Sequence, residues 1–154
     1  MDLERLFSAA NMLVLPGWLL LVLLPRWRFT TALIASVVLP GLLSIAYAAS
    51  AARAFGSGAA DFSAFGSLAG VKGLFQDDAL LLAGWIHYLA FDLFIGSWEV
   101  RDARRLGIHH LLVIPCLAFT FMLGPVGLFA YLLLRFAARG QWMIDDAASV
   151  KIAN

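Results

Sequence analysis

The sequence is short of charge. Of its 154 residues 14% are charged and 62% hydrophobic, against roughly 25% and 45–50% in soluble domains. With a mean hydropathy of +0.88, that balance excludes a soluble globular domain and a disordered chain. A net charge of +1 marks no nucleic-acid partner. The single Cys116 excludes an internal disulfide, a CxxC redox pair and a cysteine-built zinc site. Only 3 histidines are present, so a His-rich metal centre is not expected. The solvent of this chain is lipid, and its length suits a single domain, 1–140, followed by a short polar tail, 141–154.

What is abundant is uncharged sequence. No Asp, Glu, Lys or Arg occurs from Leu6 to Pro25, from Phe29 to Ala52, or from Leu106 to Leu134, and Ala79 to Trp98 carries one, Asp92. A helix needs about 20 apolar residues to cross the hydrocarbon, and in lipid a lone segment can satisfy its backbone only as a helix. The expected fold is all-α: a polytopic bundle of four transmembrane helices near 6–24, 30–52, 79–98 and 111–134. The first run is expected to stay as a helix rather than be cleaved, because Asp2 and Glu4 sit where a signal peptide is basic. Four spans put both termini on one side, with the links 25–29 and 99–109 on the other. Cation density favours those links as cytoplasmic.

The loop 53–78 is rich in Gly, Ala and Ser, yet Phe62, Phe65, Leu68, Val71 and Phe75 recur near helical spacing, so an interfacial or re-entrant helix is expected there. Val14-Leu15-Pro16-Gly17 recurs as Val38-Leu39-Pro40-Gly41, too short a match to claim duplication. Gly124-Pro125-Val126-Gly127 reads as a helix kink. Gly66 and Gly70 read as a close-packing pair, and no glycine run forms a phosphate loop. Trp18, Trp27, Trp98 and Trp142 are expected as interfacial anchors.

Ionisable residues inside a span are costly and need a reason. Asp78, Trp85, Asp92 and Glu99 recur every seven residues, which drifts only about 20° per repeat, so they form one stripe expected to face the bundle interior. Tyr88 joins its edge. His87 points roughly 140° away from Asp92, so the two flank a cavity from two sides or pair with other helices, with Asn11 and His110 as partners. A carboxylic acid in hydrocarbon favours its neutral form, which makes Asp92 a proton donor and a neutral His87 an acceptor. Against this stands interhelical hydrogen-bond glue, weighed evenly on chemistry alone. His109 and His110 diverge by about 100° on a helix, and no HxxxH, HxxHH or ExxH is present, so a di-iron core lacks its ligands. Whether His87, His110, Asp92 and Asp102 meet around a metal depends on packing; no metal and no cofactor is expected.

The run Gly84-Trp85-Ile86-His87-Tyr88-Leu89-Ala90-Phe91-Asp92-Leu93-Phe94, then Asp102, His110 and Gly124-Pro125-Val126-Gly127, resembles the abscisic-acid-deficient-4-like family. That family includes a plastid membrane protein required for neoxanthin formation. The likeness is best over 77–135 and weaker in the first two helices. It points to Trp85, His87, Asp92, Leu93, Phe94, Asp102, His110, Pro125 and Gly127. Without a transit peptide the chain looks like a bacterial member, expected in the inner membrane. The resemblance implies handling of a carotenoid or isoprenoid lipid by a cofactor-free acid–base isomerase, an epoxide opening while a polyene proton is lost. Catalysis is expected of His87, Asp92, Asp102 and His110, and substrate binding of Asn11, Trp85, Tyr88, Phe91 and Phe94. The expected partners are the bilayer, a lipophilic small molecule and a second copy of the chain. The alternatives are a non-enzymatic scaffold or pigment-binding subunit, and a small proton-coupled carrier.

Overall fold

Asp2, a good N-cap, opens the first helix: its carboxylate accepts from the Glu4 and Arg5 amides, two donors that the first turn leaves orphaned. The computed structural model describes residues 2–56, 58, 61–141, 143 and 144. Helix α1 runs Leu3–Leu23, and Pro25 follows its end. After a tight link a second rod spans Thr30–Gly56. Its first part, Thr30–Val38, is π-helical, and the rest is α2, Leu39–Gly56. Pro40 has no amide hydrogen to give an α-turn, and the wider turns stand just ahead of it, the Leu39 amide reaching back to the Ile34 carbonyl. The longest helix is α4, Asp78–Arg105, capped by Asp77 through the Ala79 and Leu80 amides.

These three are long and apolar enough to cross a membrane. At about 1.5 Å per residue the 28-residue α4 exceeds the roughly 30 Å hydrocarbon core. The molecule is apolar outside as well as inside. Met12, Leu23 and Ile45 are about two-thirds exposed, while Val14, Leu21, Leu43, Ile86, Leu93 and Leu117 form the core. An exposed surface of that kind suits lipid and not water.

The expected fourth span, 111–134, is corrected. It is two helices, α5 at His110–Leu123 and α6 at Pro125–Arg139, joined at Gly124. Gly124 adopts φ +46, which a side chain resists, and Pro125 starts the new helix. The joint is a reversal rather than a kink. Gly127 lies directly on the Thr120 backbone, where a Cβ has no room. At the far end of α6, Arg139 donates to the Gly107 carbonyl just before α5 begins. The pair is therefore a hairpin that enters from the Arg105 end of α4, turns beside Asp92 near its middle, and returns. The end of α6 thus lies at the end of the bundle opposite to Leu3, not beside it as four spans require.

In the 53–78 loop, Phe62–Gly66 is a 3-10 turn and Leu68–Leu74 is the short helix α3. Neither buries a residue, and Phe62, Phe65 and Leu68 stay exposed, as an interfacial segment requires. Phe55 stacks on Phe62 at 4.4 Å. Gly70 packs against the Ala64 backbone, but Gly66 has open space around it, so the expected close packing holds for one glycine of the pair. The Ser63 hydroxyl and amide hold the Asp61 carboxyl below its ordinary range. Trp18 is no anchor: it is buried, edge-on to Phe121 and against Gly96. Trp27 is exposed beside Phe29, and Trp98 packs on Tyr131. Trp142 and most of the 141–154 tail lie outside the described residues.

Candidate functional site

Helix α4 is the spine of every candidate site, and its faces do different things. The expected interior stripe holds only in its lower half. Asp78 and Trp85 are exposed, Asp92 is half-buried and Glu99 is fully buried. The reason is the hairpin, whose tip rises only to Asp92 and leaves the upper part of that face open.

The lower half is a polar seam between α4 and the hairpin. The Asp92 carboxylate sits against Gly124, close enough that a Cβ there would stand 2.8 Å from its Oδ1. Two turns on, Glu99 Oε1 lies 2.9 Å from Thr120 Oγ1, which also lies 3.0 Å from the Cys116 carbonyl; one hydroxyl proton serves one of these acceptors at a time. Asp92 Oδ2 and Glu99 Oε2 are buried with no hydrogen-bond partner among the described residues. Asp102 closes the seam. Its carboxylate accepts from the Tyr131 hydroxyl at 2.7 Å, Arg135 Nε at 2.8 Å and an Arg105 guanidinium nitrogen at 2.8 Å. Arg135 is itself buried and donates to the Gln141 and Met143 carbonyls. Every polar atom of that pair has a partner, the condition under which a buried ion pair is tolerated.

Clefts also open on other faces. Between α1, α4 and α5 a cleft of about 270 Å³ is lined by Asn11, Trp85, Tyr88, Phe121 and Met122. Trp85 Nε1 donates to Asn11 Oδ1 at 3.2 Å, Trp85 stacks on Tyr88 at 5.2 Å, and the Tyr88 hydroxyl donates to the Phe121 carbonyl. The structure thus brings together three of the residues expected to bind substrate, tied to one another. Trp85 also lines a wider cleft of about 630 Å³ above it, with Phe7 and an acidic rim of Asp2, Glu4 and Asp78.

On the opposite face, α2, α3 and α4 enclose about 300 Å³ walled by Phe55, Phe65, Leu74, Phe75, Leu80 and Ala83. Tyr47 and His87 are the polar side chains among its lining residues. Their rings meet edge-on at 5.5 Å, and His87 stacks on Phe91 at 4.4 Å. Phe91 and Phe94 continue the wall downward. Gly84 admits Phe75: a Cβ there would meet its ring at 2.7 Å. An apolar cleft with few convergent polar groups is the ordinary form of a small-molecule site.

The expected partnerships of His87 and Asp92 are corrected. His87 is an exposed residue facing Tyr47, not the bundle interior, and Asp92 faces Gly124 across the helix. Asn11 meets Trp85 rather than either of them. His110 Nε2 is 3.0 Å from the Val22 carbonyl, pinning α5 to the end of α1 far from both. No group of three His, Cys, Asp or Glu side chains is placed to hold a metal among the described residues. The sequence did not point to Tyr47, Thr120, Tyr131 or Arg135. Tyr47 carries a usable signal, a phenol in an apolar run; Arg135 looks like an ordinary cation flanking a span.

A family model described as ABA DEFICIENT 4-like matches residues 5–131, from the first turn of α1 to the middle of α6, so the chain belongs to that family. No curated protein and no solved structure gives a significant match.

Proposed function

From membership of the ABA DEFICIENT 4-like family, we propose that this membrane protein takes a carotenoid or related isoprenoid lipid into the α2–α4 cleft and isomerises it by acid–base chemistry. The observation that carries this is the His87–Tyr47 pair in the wall of an otherwise apolar cleft bordered by the aromatic loop. A ligand dissolved in the bilayer reaches that cleft sideways, without crossing water.

The chemistry needs one acid and one base. A neutral His87 ring nitrogen takes the proton from the polyene carbon next to the epoxide, and the C–H electrons form the new double bond as the epoxide C–O bond breaks. The Tyr47 hydroxyl gives its proton to the departing oxygen, which becomes an alcohol. Return of the proton from His87 to Tyr47 restores both groups, so the sum is an isomerisation. Tyr47 takes the acid role that sequence reasoning gave to Asp92, because Asp92 lies across the helix. Asp92, Asp102 and His110 then hold the hairpin and the helix ends in place.

The test is the pigment profile of a carotenoid-producing host carrying wild type, His87→Ala or Tyr47→Phe at equal protein levels. Positioned proton transfer contributes about 10²- to 10⁴-fold. Wild type is expected to convert an epoxy-carotenoid, His87→Ala to lose at least about 100-fold of that rate, and Tyr47→Phe to lose about tenfold or more. A profile that His87→Ala leaves unchanged rules the mechanism out.

A further inference from the structure

We propose that Arg28, Arg101 and Arg104 build a binding site for the headgroup of an anionic phospholipid, independent of the His87 cleft. At about 1.5 Å per residue the 28-residue α4 is about 42 Å long, the depth of the hydrocarbon plus both headgroup layers. Its last turn therefore stands among lipid phosphates. Arg101 and Arg104, three residues apart, share one face of that turn, and both reach across to the link after α1. Arg101 donates to the Thr31 carbonyl at 2.9 Å and Arg104 to the Pro25 carbonyl at 3.0 Å. Arg28 lies on the link midway between those two anchor points, its guanidinium 5.0 Å from the centre of the Phe29 ring.

The two faces of this turn are balanced differently. On the hairpin side, Asp102 pairs with Arg105 and Arg135. On the link side, Arg28, Arg101 and Arg104 form no ion pair with a carboxylate among the described residues. Like charges gathered there repel one another and are relieved by an anion from outside the chain. An Arg side chain carries five N–H donors, and each backbone carbonyl occupies one nitrogen, so donors remain for phosphate oxygens. The same two carbonyls hold the guanidinium groups in place beforehand, which lowers the ordering cost of binding.

The surroundings select a lipid over a soluble anion. Trp27 stands edge-on to Phe29 at 5.6 Å, both of them exposed, an aromatic pair of the kind that marks the headgroup level. From there Leu33 and Val37 stay exposed along the second rod, a track for an acyl chain. A free phosphate leaves that track unused, and a zwitterionic headgroup brings its own cation to the arginines. A phospholipid with net negative charge meets both the charge and the apolar surface.

Detergent-solubilised protein is titrated with phosphatidylglycerol or phosphatidylcholine of the same acyl chains, and bound lipid is counted by native mass spectrometry. One Arg near the lipid phosphates is worth about fivefold in affinity. Wild type is expected to prefer phosphatidylglycerol by at least about 25-fold. Arg28→Gln gives up no hydrogen bond among the described residues and should cut that preference about fivefold. Arg101→Gln combined with Arg104→Gln should cut it about 25-fold. Arg139→Gln removes a charge from the same end of the bundle, but on the hairpin, and should leave the preference unchanged. Excess inorganic phosphate should not displace the lipid. The proposal is overturned by equal binding of both lipids to wild type, or by a preference that survives Arg28→Gln and the double variant. An equal loss in Arg139→Gln, the mark of diffuse attraction, or displacement by inorganic phosphate overturns it too.

Discussion

Asp102 is held by three donors at once, two of them guanidinium groups, while Arg5 and Asp2 form an ion pair in the open at the other end of the molecule. Their energetics differ accordingly. The Arg135 and Asp102 side chains are 1% and 3% exposed, and removing one member of such a pair strands the other's charge at a cost of about 3–5 kcal/mol. Arg135→Ala is expected near the lower figure, because Arg105 still reaches the carboxylate; the check is the thermal unfolding midpoint in detergent. Arg5→Ala should move that midpoint by less than the error, since exposed pairs contribute about 0–1 kcal/mol. The sequence made Asp102 conspicuous but hid both Tyr131 and Arg135. In linear order Arg135 merely ends an apolar run, and only the reversal at Gly124 carries it back to the Asp102 level. His87 was legible as the odd residue of α4, yet its partner was not, since nothing in the sequence says which helix packs on which face.

The α5–α6 hairpin depends on two glycines for different reasons. At Gly124 the backbone itself demands glycine, and the Asp92 carboxylate fills the space a side chain would take. At Gly127 the obstacle is the neighbouring helix, the Thr120 backbone lying where a Cβ would be. A backbone cannot yield as a flexible side chain does, so Gly127→Ala is expected to cost about 2 kcal/mol or more by forcing the helices apart. Gly124→Ala combines a strained φ with the Asp92 clash and is expected to cost a similar amount. Gly73 in α3 has open space around it, and Gly73→Ala should be neutral or stabilising by about 0.5 kcal/mol. Comparative unfolding of the three variants orders them. The glycine–proline signal was plain in the sequence, but hydropathy cannot tell a helix that crosses from one that goes halfway and returns. Both are long, apolar and free of charge.

At the scale of the whole molecule the hairpin changes the topology. Arg26, Arg28, Arg101, Arg104, Arg105, Arg135 and Arg139 gather at one end of the bundle, against Arg5, Arg53 and Lys72 at the other. With four spans the cations divide almost evenly; with three spans and a hairpin the positive-inside rule predicts the Arg-rich end on the cytoplasmic face. In a Cys116→Ala background, Arg28→Cys and Ala138→Cys are expected to react with an impermeant thiol reagent from one face of the membrane, and Ser63→Cys from the other. Labelling of Ala138→Cys from the Ser63 face would restore the fourth span. In that predicted orientation the aromatic loop and the His87 cleft face the outer leaflet, with the groove descending along α2 and α4. The most direct measurement is a map of where a photoreactive isoprenoid analogue attaches to the intact protein in vesicles. Attachment concentrated at Tyr47, Phe91 and Phe94 is the expected result. Attachment centred on Phe7 and Trp85, or spread evenly over the lipid-facing surface, would contradict a ligand in the α2–α4 groove.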